Sequence, residues 1–185
     1  MRILNYILLT ALLVSGCTSL FGEDYSKKSV QELLSLAKQG DAAAQYNLGL
    51  AYNNGRGVRK NEQKAFWWWR VAAEHGDPTA QFYLGNMYRA GIGVPQDIQQ
   101  AFKWYRKAAE QGVAKAQFYL GEMYQNGHGV PQDNVLSHKW FNLAAAQEVK
   151  GATRLRDDLA KQMTPSQIQE AQRLAIEFKP KKEKP

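Results

Sequence analysis

The chain has a single cysteine, Cys17, in 185 residues. No disulfide can close within it, and a Cys-rich zinc site is excluded. Its three histidines, His75, His128 and His138, have no metal-ligand spacing between them. Six prolines and 15 glycines are too few for a collagen-like or low-complexity chain. No apolar run reaches the ~20 residues that a membrane-spanning helix requires. The longest, Ile3 to Val14, is broken by Asn5 and Thr10. Neither sign of charge dominates: 24 Lys and Arg against 17 Asp and Glu leave +7, a mild attraction to anionic surfaces. At 44% hydrophobic residues the chain carries enough apolar surface for one core, held by packing alone.

The start of the chain reads as an address. Met1-Arg2 is a short positive segment, and Ile3 to Val14 has the length of a signal-peptide core. Val14-Ser15-Gly16-Cys17 resembles the lipobox of bacterial lipoproteins. That resemblance implies removal of residues 1–16 and lipidation of Cys17. Thr18, rather than Asp, after the cysteine implies an outer-membrane anchor facing the periplasm. The other reading is an ordinary signal peptide with a chance cysteine. Several acyl chains anchor stably, because each buried CH₂ contributes ~0.8 kcal/mol. Residues 17–28 then read as lipidated Cys and tether. At the other end, residues 179–185 form a basic tail, with Lys179, Lys181, Lys182 and Lys184 against Glu183. It is expected to fray, either solvated or touching anionic lipid or cell wall.

Between these ends a period of 36 residues organises the chain. Ala44-Gln45-Tyr46 recurs as Ala80-Gln81-Phe82 and Ala116-Gln117-Phe118. Leu48-Gly49 recurs as Leu84-Gly85 and Leu120-Gly121, and Tyr52 as Tyr88 and Tyr124. Gly55-Arg56-Gly57-Val58 becomes Gly91-Ile92-Gly93-Val94 and Gly127-His128-Gly129-Val130. Trp68 becomes Trp104 and Trp140, and Ala72-Ala73 becomes Ala108-Ala109 and Ala144-Ala145.

Each unit predicts two helices. Ala44, Leu48 and Tyr52 share one face of the first, and Gly49 admits a close neighbour. The Gly-x-Gly ends that helix. Asn61, Asp97 and Asp133 are N-cap residues for the second helices, which carry an Ala65, Trp68, Ala72 stripe. Asp77-Pro78 restarts the next unit. Units near 42–76, 77–112 and 113–147 cannot bury their faces alone, so they are expected to stack. The fold class is all-α, an α-solenoid of antiparallel helix pairs with capping helices at both ends. Ser29 to Gln39 is half a unit at the start. A more polar helix over 148–161 and a last helix from Thr164 and Pro165 to Phe178 close the other end, so the solenoid spans 29–178.

These residues resemble the Sel-one-like repeat, a branch of the tetratricopeptide superfamily. The resemblance implies a scaffold that binds other proteins, with no catalytic residues and no cofactor. It also implies a sharper possibility: some lipidated members look like immunity proteins that neutralise lipase or phospholipase toxins delivered by type VI secretion. Other relatives carry Cys pairs in each repeat and are linked to β-lactam binding. This chain has none of those cysteines.

Chemistry-bearing patterns are weak. Gly-x-Gly lies between helices, where a phosphate cradle needs a strand before it. Ser35-Leu36-Ala37-Lys38 matches S-x-x-K, but no K-T-G or S-D-N element accompanies it. A cell-wall or β-lactam hydrolase is therefore the weakest reading. The variable positions of the first helices are the candidates for protein binding: Asn47, Tyr83 and Tyr119; Asn86 and Glu122; Arg89. In a solenoid they line the concave face. Trp67 stands where Lys103 and Lys139 stand in the other units. It is either an exposed binding anchor or packed on the N-terminal half unit. Export from the cytoplasm argues against a nucleic-acid partner.

Overall fold

A computed structural model describes residues 24–181. The signal segment 1–16, Cys17 and Lys182 to Pro185 lie outside the described residues. Among the described residues, nine α-helices follow a 3-10 turn at Tyr25–Lys27. They are α1 (Val30–Lys38), α2 (Ala42–Asn54), α3 (Glu62–Glu74), α4 (Pro78–Ala90), α5 (Ile98–Glu110), α6 (Ala114–Asn126), α7 (Asn134–Ala146), α8 (Ala152–Ala160) and α9 (Pro165–Ile176). Each helix from α1 to α7 packs on the next, and α9 returns to lie on α7.

The helix boundaries follow from local chemistry. Asp41, Asn61, Asp77, Asp97 and Asp133 each accept a backbone N–H of the first helical turn. Ser29 and Thr164 form full capping boxes with Glu32 and Gln167. Gly91 ends α4 at φ +69, a left-handed conformation that costs a residue with a Cβ ~1 kcal/mol or more. Its partner in the turn, Gly93, lies against the preceding unit. A Cβ there would meet the Glu62 carbonyl oxygen at 2.5 Å. The Gly-x-Gly turn thus presses on a backbone acceptor, the opposite of what a bound phosphate needs.

The core repeats with the sequence. Leu48, Leu84 and Leu120 are fully buried. Burying a leucine contributes ~1.5–3 kcal/mol. Gly49, Gly85 and Gly121 each receive an aromatic ring from the second helix of their own unit: Trp69, Tyr105 and Phe141. A Cβ at Gly85 or Gly121 would stand 2.7 Å from that ring. At Gly49 the Trp69 indole leaves still less room, and its Nε1 donates to the Tyr46 carbonyl.

Both ends close. On the first unit, α1 contributes Leu33 and Ala37 to a cluster with Ala44, Leu48 and Trp68. Gln45 donates to the Ala37 carbonyl as Gln81 does to Ala73 and Gln117 to Ala109. Helix α1 therefore fills the place of a second helix.

Three boundaries differ from expectation. The expected tether ends early, because Tyr25 donates to Asp41 at 2.6 Å and Arg56 to the Ser26 carbonyl. The helix expected over 148–161 begins only at Ala152. Glu148 occupies the place of Gly76 and Gly112 and takes the same left-handed turn, at φ +59. The tail does not fray at once. Phe178 meets Trp140 edge-on, Pro180 lies over Gly112, and Lys181 donates its backbone N–H to the Glu110 carbonyl and pairs with the Glu110 carboxylate.

Candidate protein-binding face

Side chains of successive first helices touch across the units, Tyr46 with Tyr83 and Phe82 with Tyr119. The first helices thus share one continuous face. Between them the same stack repeats. Trp69 lies on Tyr83 at 4.7 Å between ring centroids and 21°, and Tyr105 on Tyr119 at 5.3 Å and 13°. In each case the ring seated on a glycine supports the tyrosine of the next unit.

Polar groups join this stack. The Tyr105 hydroxyl donates to Asn86 Oδ1 at 2.7 Å and accepts from Arg89 Nε at 3.1 Å. The Arg89 guanidinium also lies 5.1 Å from the Tyr119 ring centre. Burial pushes the Tyr105 hydroxyl up to about 12, against the pull of Arg89. Burial likewise raises the Glu122 carboxyl above its usual range, while Arg89 and His128 draw it down. Five of the expected residues, Tyr83, Asn86, Arg89, Tyr119 and Glu122, thus form one neighbourhood of rings, a planar cation and a half-buried acid.

A groove of about 650 Å³ opens beside them. Phe82, Tyr83, Phe118, Tyr119 and Val149 supply its apolar surface, and Lys115, Glu148 and Lys150 its charged rim. The groove has aromatic walls and a charged rim, a composition suited to binding. Among the described residues, no group of three His, Cys, Asp or Glu side chains could hold a metal ion.

The family model of the Sel1 repeat matches residues 42–77, 78–113 and 114–149. The chain belongs to the Sel1-repeat family. A protective antigen present in uropathogenic Escherichia coli strains, which displays an SLR fold, is 39% identical with a TM-score of 0.73. That match covers 83% of this chain and 35% of the antigen, so the chain spans about a third of that protein's length. A Sel1 repeat protein from Oxalobacter formigenes is 43% identical with a TM-score of 0.66, over 70% of this chain and 97% of that one. The cysteine-rich protein B of Helicobacter pylori shares the fold at 22% identity, with a TM-score of 0.54 over 70% of this chain and 98% of that one. No curated protein matches the chain.

Two expected residues lie outside the neighbourhood of this Sel1-repeat face. Asn47 turns back to its own helix, donating to the Ala43 carbonyl at 2.8 Å. Trp67 is two residues from Trp69, so it points to the opposite side of α3. It is 48% exposed and touches Trp68 edge-on at 4.5 Å, rather than packing into α1. Ser35 and Lys38 are both exposed on α1.

The histidines are structural or solvent-facing. His75 hydrogen-bonds Gln45 Oε1 through Nδ1 at 2.9 Å. Gln111 does the same for Gln81, and Gln147 for Gln117, both at 2.9 Å. This ladder of buried glutamines was not anticipated as a network. Its signal was the Gln in each Ala-Gln pair, a polar residue at an apolar phase. The groove wall at Val149 and Lys150 was also missed, because these positions correspond to the unit junctions Asp77-Pro78 and Val113-Ala114 rather than to the variable first-helix positions.

Proposed function

We propose that this chain is a periplasm-facing scaffold lipoprotein, held at the outer membrane by lipid on Cys17. It binds a protein partner through its concave first-helix face. Sel1 repeats generally mediate protein–protein interaction, which supports the broad class. The observation that carries the reading is the Arg89, Tyr105, Asn86 and Tyr119 arrangement beside the groove. Arg89 spends Nε on Tyr105, which aims the remainder of its guanidinium along the face. Such a fixed, bidentate-capable cation over aromatic rings is the side-chain type that dominates protein recognition. Glu122 beside it offers a half-buried acid, so a partner segment presenting both an acceptor and a donor meets complementary groups.

The test is affinity capture from membranes with the full-length chain and with an Arg89→Ala variant. One stoichiometric protein retained by the first and lost with the second supports the reading. Equal capture by both contradicts it. A captured lipase-like protein inhibited by the chain would assign the immunity role; an envelope assembly component would assign the scaffold role. Lipidation is read separately, as incorporation of labelled fatty acid that disappears in Cys17→Ala.

A further inference from the structure

The outer side of the solenoid differs in character from the groove side. On α3 the residues Trp67, Arg70, Val71 and Glu74 share the outward face. Their counterparts on α5, 36 residues on, are Lys103, Arg106, Lys107 and Glu110, and Lys139 continues the column on α7. The ion pairs Arg70–Glu74 and Arg106–Glu110 are long, at 3.7 and 3.9 Å, and solvent-exposed. Lys107 lies over the Trp104 ring at 4.9 Å, and Lys139 over Trp140 at 4.4 Å. Lys107 is exposed on its ring, and Lys139 is half-buried between Trp140 and Phe178. The C-terminal strap joins the same surface, because Lys139, Trp140, Glu177, Phe178, Lys179 and Lys181 line one depression with Glu110. Seven cations face three carboxylates there, a net +4 out of the chain's +7. At the edge of this field stands Trp67, the most exposed aromatic side chain of the core helices.

We propose that this outer face docks on an anionic phospholipid surface, with Trp67 entering the headgroup layer and the lysines resting on the lipid phosphates. The charge is complementary, and attraction of clustered basic residues to an anionic leaflet acts within about one Debye length. Tryptophan favours the boundary between lipid and water. An acidic protein partner would have to present a pocket that receives Trp67. The face is open helix surface, and a bilayer boundary accepts an indole without one. Docking in this orientation turns the groove away from the lipid and leaves it accessible. The orientation is independent of what the groove binds.

The experiment uses the full chain with vesicles of phosphatidylcholine, or of phosphatidylcholine and phosphatidylglycerol, each carrying brominated lipid as a quencher. The part of the fluorescence lost in a Trp67→Phe variant reports on Trp67 alone. The expected result is quenching of Trp67 in the phosphatidylglycerol vesicles and none in the neutral ones, reduced about fivefold or more in a K103E/K107E double variant. Both lysines are exposed, so that variant retains its helicity, checked by circular dichroism. Equal Trp67 quenching in the two lipids, no quenching in either, or quenching unchanged by K103E/K107E overturns the proposal. If Trp67→Phe fails to fold, total tryptophan quenching compared between the native chain and K103E/K107E decides the question in the same way.

Discussion

Tyr105 lies flat on Tyr119, and its hydroxyl links Asn86 to Arg89. One side chain thus fills the seat above Gly85, joins two repeats, and orients the cation of the groove side. Stability and the proposed recognition surface meet in it, and variants at its neighbours separate the two.

Arg89 is exposed, and its ring contact and single hydrogen bond are at the surface. Arg89→Ala is expected to change stability by less than about 0.5 kcal/mol, the range for surface substitutions. Tyr119→Ala removes a half-buried ring stacked on Tyr105 and is expected to cost about 1–3 kcal/mol. Urea unfolding of both variants checks this. A larger loss for Arg89→Ala than for Tyr119→Ala would show that the cation is structural.

Gly85→Ala places a methyl group 2.7 Å from the Tyr105 ring. Overpacking of this kind costs about 1–3 kcal/mol. The side chain cannot yield without losing its bonds to Asn86 and Arg89. The denaturation midpoint should therefore fall, and an unchanged midpoint would mean that the repeat interface has slack.

The glutamine ladder predicts a further loss. In Gln117→Leu the Ala109 carbonyl loses a buried donor and Gln147 loses its acceptor. An unsatisfied buried polar group costs about 1–3 kcal/mol. Loss of protection in amide hydrogen exchange should concentrate at the end of α5 and the start of α6. Uniform loss across the solenoid would contradict a local role.

His138 replaces Phe66 and Phe102, which meet Tyr88 and Tyr124 edge-on in the other units. Its counterpart partner is Ala160, so no ring awaits it. It is 3% exposed with no partner for Nδ1, and Asn134 Oδ1 one turn away is also unsatisfied. Burial lowers its pKa from 6.5; Arg156 adds to this, and Asp157 opposes it. A depressed histidine contributes stability that is present above its unfolded value and lost as pH falls through the folded one. The chain should therefore weaken on acidification below about 6.5, first at α7–α9. His138→Phe should raise stability by about 1 kcal/mol and flatten this pH dependence. An unaltered pH profile in that variant would assign the acid loss to other groups.

The repeat made most of the fold legible. Matches at one spacing over three units located α2 to α7, because the glycine seats and cap residues are local and periodic. The end of the last repeat was less legible. Glu148 behaves as a glycine there, since the turn geometry inherited from the preceding units outweighs its own preference and delays α8. The strap at Lys181 was hidden for a different reason. Its partner Glu110 is remote in the chain, and no periodic signal connects them. On the groove side, the variable first-helix positions identified five clustered residues. Asn47 fell away because its amide reaches its own helix, and Trp67 because helical geometry turns it from Trp69.

The most direct test of the groove is a photo-crosslinking residue placed at Lys115 in the full chain, in cells, with the same probe at Lys103 on the outer face. A discrete protein adduct is expected from position 115, lost in the Arg89→Ala background and not formed from position 103. No protein adduct at 115, or one indifferent to Arg89, would contradict binding through the concave face.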